Sequence, residues 1–198
     1  MLRLFCIFSA LGISLFLTSC YTISKKDCLA GDWKGIGFTD GFNGYLPKER
    51  FEGHTKSCKR VKVVPDLTLW KQGYKKGLLR YCTAWSGLWE GQHGHSYNGL
   101  CPPKTEAEFL RGHVIGYRQY ALRSKLERLE DNYKRKEEEL EELQEKMKKD
   151  RNEEYSLLNY WKVKDLKEDL SDIRDEEDRV RDELNEADQQ VRLFESQL

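Results

Sequence analysis

LRSKLERLEDNYKRKEEELEELQEKM at 122–147 and VKDLKEDLSDIRDEEDRVRDELNEADQQVRLFESQL at 163–198 decide the fold class. In the first stretch Leu122, Leu126, Leu129, Tyr133, Lys136, Leu140, Leu143 and Met147 are separated alternately by four and three residues. In the second, Val163, Leu166, Leu170, Ile173, Glu177, Val180, Leu184, Ala187, Val191, Phe194 and Leu198 alternate in the same way. A spacing of 3.5 sustained over successive heptads is the seam of a coiled coil. The two runs are out of phase across Lys148–Tyr155, and the polar stretch from Lys149 to Glu154 suits a tight connection. Two arms of about 43 residues, folded as an antiparallel hairpin, would reach about 65 Å at 1.5 Å per residue. The rival is one continuous helix with a stutter, about 140 Å long, which must oligomerise to bury its seam. No Gly or Pro marks the turn, but the polar connection favours the hairpin.

Upstream of this tail the composition changes. All four Pro precede residue 104, and no Gly or Pro follows Gly116. Residues 20–104 carry 14 Lys and Arg against 7 Asp and Glu, whereas 105–198 carry 19 against 27. The formal net charge of zero is therefore a basic head, with Arg3 before it, balanced by an acidic tail. A hydrophobic fraction of 38% in 198 residues is low for one large core, and only the N-terminal run is long and apolar, which excludes a multi-pass membrane protein. No nucleic-acid partner is implied.

The N-terminus reads as an address. Arg3 precedes an apolar stretch from Leu4 to Leu17, about fourteen residues, short of the roughly 20 that a spanning helix needs and suited to a secretory signal. Leu17-Thr18-Ser19-Cys20 then resembles the lipobox of bacterial lipoproteins. That resemblance implies cleavage after residue 19 and acylation at Cys20. Burying acyl chains contributes about 0.8 kcal/mol per CH₂, and stable anchoring needs more than one chain. Tyr21 and Thr22 follow, with no Asp directly after the cysteine, which by resemblance to sorted lipoproteins implies the outer membrane, facing the periplasm. Cys28, Cys58, Cys82 and Cys101 remain, an even number suited to two disulfides in an oxidising compartment. Four cysteines allow three pairings; Cys28–Cys58 with Cys82–Cys101 closes the shortest loops. Their wide spacing does not suit a thiolate zinc site.

The expected organisation is a signal at 1–19, a lipid-anchored linker at 20–27, a head at 28–104 and a charged coiled-coil tail at 105–198. The fold class is mainly α: a small disulfide-stapled helical head followed by a long helical hairpin. In the head, Gly recurs four residues apart at Gly37/Gly41, Gly73/Gly77, Gly87/Gly91 and Gly112/Gly116. Two Gly one helical turn apart make a groove in which another backbone can approach closely. Gly94 and Gly99 read as turns. Pro65-Asp66 predicts a helix start, with Leu67, Trp70, Tyr74, Leu78 and Tyr81 as its apolar stripe.

Together Cys28-x₂-Gly31-Asp32-Trp33, Ile36-Gly37-x₂-Asp40-Gly41-x₂-Gly44, Arg50, His54-x₃-Cys58, Pro65-Asp66, Gly73-x₃-Gly77-Leu78-x₂-Tyr81-Cys82-Thr83, Gly87, Gly91, Gly94 and Tyr97-x-Gly99-x-Cys101-Pro102 resemble a known family over Cys28 to Tyr120. It is the bacterial lipoprotein family catalogued as domain of unknown function 2799. The resemblance implies a helical periplasmic domain of unassigned activity on a lipid anchor, and it lends no catalytic residues. Trp70 stands where that pattern has Tyr, and Gln92 where it has a basic residue.

Candidate site residues are few. Asp32, Asp40, Arg50, His54, Asp66, His93 and His95 form the best polar constellation, but no nucleophile motif accompanies them. Asp32 and Asp40 read as caps of helices or turns, and His54 as a packed histidine. His93-x-His95 sits in a Gly-rich loop and does not suggest a metal, and no cofactor is implied. The tryptophans at 33, 70, 85 and 89 read mainly as core. Trp85 and Trp89, one turn apart, are the alternative: a sugar-stacking pair. Candidate binding residues are thus Trp85, Trp89, Arg50 and His54. The leading expectation is a non-enzymatic envelope protein that binds itself or a protein partner through 105–198. The alternative is a module binding peptidoglycan or lipopolysaccharide through basic residues of the head (Lys56, Lys59, Arg60, Lys62, Lys75, Lys76, Arg80). A periplasmic hydrolase is the third reading.

Overall fold

The computed structural model describes residues 21–149 and 153–198, and among them every regular element is a helix. The order is α1 Lys25–Ala30, α2 Trp33–Phe42, α3 Pro47–Cys58 with a 3₁₀ turn at Lys59–Val61, α4 Leu67–Tyr81, α5 Ala84–Gln92, α6 Pro103–Lys149 and α7 Glu153–Glu195. Short polar side chains set the starts: Ser24, Asp32, Asp66 and Thr83 each accept from a backbone N–H in the first turn of α1, α2, α4 and α5 respectively. The signal expected at 1–19 and the acylated Cys20 lie outside the described residues, as do the central residues of the expected connection.

The Gly pairs do what their spacing predicts. A Cβ on Gly37 or Gly41 would overlap the carbonyl oxygens of Trp70 or Tyr74, and one on Gly73 or Gly77 those of Lys34 or Phe38. α2 and α4 therefore meet backbone to backbone. Because partner numbers rise together along both helices, the two run parallel. α5 and α6 repeat the arrangement, Gly87 and Gly91 against Phe109 and His113, Gly112 and Gly116 against Ala84 and Leu88.

The correspondence extends beyond the crossing. Each first helix ends in a left-handed Gly, Gly44 at φ 64° and Gly94 at φ 72°, and each such Gly lies under a tyrosine, Tyr81 or Tyr120, four residues past the second Gly of the partner helix. Tyr74 Oη donates to Tyr45 O at 2.6 Å; at the matching positions His113 Nε2 donates to His95 O at 2.7 Å. The head is thus two copies of one helix-pair unit. A parallel pair needs a chain that returns to the starting end, and each return is stapled: Cys28–Cys58 in the first unit and Cys82–Cys101 in the second, both with Cα atoms 5.6 Å apart. Trp70 and Phe109 occupy matching positions and are fully buried in one core with both disulfides.

The tail is a hairpin. As α6 numbers rise, α7 partners fall: Gln119 Nε2 donates to Asp188 at 2.6 Å, Arg181 pairs with Glu130 at 3.1 Å, and Lys136 pairs with Asp169 at 2.6 Å. The continuous helix is excluded by these contacts. At 1.5 Å per residue the 47 residues of α6 extend about 70 Å. The heptad positions form the buried or half-buried seam, including Glu177, which leans on Arg181 at 3.5 Å. Leu198 departs from the pattern and is 54% exposed, because α7 ends at Glu195.

The boundary expected at 104/105 falls within the first turn of α6 and separates nothing. The first five turns of α6 complete the second unit of the head, and α7 comes back to it: Val191 and Phe194 pack with Ala84 and Leu88, and Arg111 lies 5.0 Å over the Phe194 ring. Gln92 Nε2 donates to Gln119 Oε1 at 2.9 Å, joining α5 to the Gln119–Asp188 link.

The backbone crossing makes a direct prediction. Gly77→Ala forces α4 away from α2 and should cost about 3 kcal/mol, the upper end of the range for overpacking. Gly99→Ala, with open space around it but φ 67°, should cost only about 1–2 kcal/mol. Urea unfolding of the two variants measures the contrast, and equal losses would contradict the crossing.

Candidate functional site

The polar centre of the head is built on Asp40, which lies between Gly37 and Gly41 of α2 and is 2% exposed. A carboxylate there must be fully partnered. Arg50 Nε donates to Oδ1 at 2.7 Å, and Oδ2 accepts from His54 Nε2 at 2.7 Å and Trp70 Nε1 at 2.8 Å. Burial alone would raise the Asp40 pKa, but the bonds from His54, Arg50 and Trp70 outweigh it and hold the carboxyl below the ordinary aspartate range. Burial and the Asp40 charge push Tyr74 up to about 12.

Since Nε2 of His54 carries the proton toward Asp40, Nδ1 is left facing Thr22 Oγ1 at 2.8 Å. Thr22 N also donates to Ser57 Oγ at 3.1 Å, and the Thr22 methyl sits against Gly53. Next to it Arg60 stacks 3.9 Å over the Tyr21 ring and donates to Ile23 O at 2.7 Å. Asp40, His54 and Thr22 form an acid–imidazole–hydroxyl series in a cavity of about 800 Å³. Its effect on the fold is to fasten Thr22 to α3.

Expected site residues separate into two places. Arg50 and His54 belong to this centre; Trp85 and Trp89 line a second cleft of about 600 Å³ with Phe42, Tyr45, Glu90 and His95. Asp40 is not a cap, as expected from its local sequence, because its partners come from α3 and α4. Asp32 and Asp66 are caps, at 2.9 Å from Gly35 N and Leu69 N. Of the tryptophans read as core, Trp33 and Trp70 are buried, but Trp85 and Trp89 are 55% and 47% exposed, since their side of α5 faces the cleft and not α6. His95 Nδ1 pairs with Glu90 at 2.5 Å and His93 Nδ1 with Trp89 O at 2.7 Å; among the described residues no group of three or more His, Cys, Asp or Glu is placed to hold a metal. The disulfide pairing is the one that closes the shortest loops. Sequence reasoning missed Thr22, which carries no local signal, and Glu90, detectable only by aligning Gly41-x₂-Gly44 with Gly91-x₂-Gly94.

Two Gly-packed parallel helix pairs, each with one disulfide and one left-handed Gly, define a class of small helical head domain. The model of the family described as "Protein of unknown function (DUF2799)" matches residues 32–118, from the α2 cap through both Gly pairs of the second unit, and places the head region in that family. No curated protein and no solved structure matches the chain.

The Asp40 centre makes stability depend on acid. A carboxyl with a depressed folded pKa contributes stability that is present above the unfolded value and lost as pH falls through about 4 and below. Asp40→Asn should cost about 3–5 kcal/mol at pH 7 by leaving Arg50 without its counter-charge. The variant should also lose less stability than the native chain between pH 5 and pH 3. Urea titrations at pH 7, 5 and 3 test both, and parallel pH profiles would show that Asp40 is not the titrating group.

Proposed function

We propose that this chain is a lipid-anchored outer-membrane protein of the periplasmic face, without catalytic activity, that holds its head against the bilayer and engages a protein partner through its helical arm. Acylation at Cys20 would place the anchor next to Tyr21, stacked under Arg60 of the 3₁₀ turn, and Thr22, hydrogen-bonded to α3, so little free chain separates lipid from head. The Asp40–His54–Thr22 series serves fastening in this reading: the hydroxyl is held between His54 and Ser57, 3.3 Å from Ser57 Oγ, with its methyl against Gly53.

The observation that carries the partner reading is the far end of the arm. The hairpin consumes its own seam, so the heptad residues are not available to another chain, contrary to the simplest expectation for a charged coiled coil. At 100° per residue, Leu157 and Trp161 fall opposite Asn159, Val163 and Leu166, with Leu158 on the flank, and Leu157, Leu158 and Trp161 are all exposed. An apolar outward stripe on an otherwise charged helix marks an interaction surface.

Deleting residues 136–149 together with 157–170 removes two facing heptads from each arm and keeps the register that returns Val191 and Phe194 to the head. The shortened protein should remain disulfide-bonded and membrane-associated, yet lose the formaldehyde crosslinks to a partner that the full chain gives in intact cells. The Leu157→Glu/Trp161→Glu variant should lose them too. A crosslink at twice the chain mass would assign the partner as a second copy; crosslinks unaffected by both changes would overturn the reading. Cys20→Ser should move the protein from the membrane pellet to the soluble fraction, and full retention in the pellet would remove the anchor.

A further inference from the structure

Comparing the two units of the head isolates a feature that packing does not explain. The position before the second Gly of the first helix is acidic in both, Asp40 in the first unit and Glu90 in the second. Asp40 is buried and spends both oxygens on Arg50, His54 and Trp70. In the second unit the place of Trp70 is taken by Phe109, which has no N–H to offer. Glu90 is one methylene longer, and its carboxylate turns instead to Tyr81 and to His95, at 2.5 Å from Nδ1, on the wall of the open cleft. The Glu90 side chain is 17% exposed where that of Asp40 is 2%, so this carboxylate retains a limited opening to the cleft that its counterpart lacks.

Around it the cleft is aromatic. Trp85 and Trp89 project from successive turns of α5, and His93 backs the Trp89 ring with centroids 4.0 Å apart. Tyr45, held by Arg50 at 4.0 Å over its ring, enters from the end of α2, and Asn98 from the loop before α6. A volume of about 600 Å³ lies within the range of small-ligand sites. Flat aromatic surfaces beside a carboxylate and an amide suit one ligand chemistry above others. A pyranose ring presents C–H groups on its face and hydroxyls around its rim. The rings would take the face, and Glu90 and Asn98 the hydroxyls. An acyl chain would take water from the Glu90 carboxylate and return no hydrogen bond, and an anion would meet its charge.

We infer that the cleft between α2 and α5 binds a pyranose oligosaccharide, with Trp85 and Trp89 as the stacking surface and Glu90 as the hydroxyl acceptor. This does not depend on the anchor or on the arm. Envelope glycans of two kinds share this chemistry, the amino-sugar strands of a cell wall and other polysaccharide chains, so two probes are used: the tetramer of N-acetylglucosamine and the tetramer of glucose.

Titrating either into the full chain, with tryptophan emission and acrylamide quenching as readouts, should give saturable binding by at least one and protection of the exposed indoles. Trp85→Ala and Trp89→Ala should each weaken affinity about tenfold, as the loss of one stacked ring does, and Glu90→Gln should weaken it without changing the quenching of the free protein. Preference for the first tetramer would assign cell-wall strands, and preference for the second other polysaccharides. No saturable binding or indole protection by either at millimolar concentration overturns the inference, as does binding that survives the Trp85→Ala/Trp89→Ala double variant. The quenching readout uses the native chain and stands even if a variant fails to fold.

Discussion

Backbone-to-backbone contact between parallel helices is the constraint on which the head depends. At Gly37, Gly41, Gly73 and Gly77, and again at Gly87, Gly91, Gly112 and Gly116, a carbonyl oxygen occupies the space of a missing Cβ. Each Gly in a helix interior costs about 1 kcal/mol relative to Ala, and the close approach, with its dispersion and Cα–H···O contacts, must offset eight such costs. In water this arrangement has little side-chain area to bury. The two disulfides follow from that shortage: each could contribute about 2–4 kcal/mol, and each closes the return loop that a parallel pair requires.

Two copies of one unit give a scaffold in which one copy is committed to structure and the other is free to diverge. In the first, Asp40 is satisfied within the core, and His54 passes that order outward to Thr22, fixing the chain that leads to Cys20. In the second, Phe109 replaces the indole donor, and the acidic side chain lies half-buried on the wall of the cleft. The same backbone thus supports an inward carboxylate that holds the fold and an outward one beside exposed aromatics. α3, which supplies Arg50 and His54, is present only in the return of the first unit, so the second cannot bury its acid in the same way.

Much of this was legible in the sequence because it rests on short-range periodicity. The 3-4 alternation from Leu122 to Met147 and from Val163 to Phe194 marks the buried seam residue by residue, and Asp66 before Leu67 marks the start of α4. The Gly pairs announce close packing, and the even number of cysteines announces two bridges, whose pairing spacing alone does not decide. What periodicity cannot carry is direction and long-range partnership. Nothing local distinguishes parallel from antiparallel crossing at Gly37/Gly41. Asp40 looks like a capping residue because its partners lie 10, 14 and 30 positions away. Trp33 and Trp85 are equally apolar by sequence; only the face each presents to a neighbouring helix separates core from cleft.

The composition break after Pro103 misleads for a related reason. Gly and Pro vanish and acidic residues dominate beyond it, yet α6 does not begin a new body there. Its first five turns supply Phe109, Gly112 and Gly116 to the head, and the same helix then continues as an arm without a hinge. A rigid continuation transmits orientation: the direction of the arm is fixed by the α5–α6 crossing, and α7 reinforces it through Val191, Phe194 and the Gln92–Gln119–Asp188 chain. A flexible linker at residue 104 would let the arm tip sample a large volume. Here Trp161 lies on a helix that is packed along α6 and docked on the head, so a partner bound there would be positioned relative to whatever holds the head.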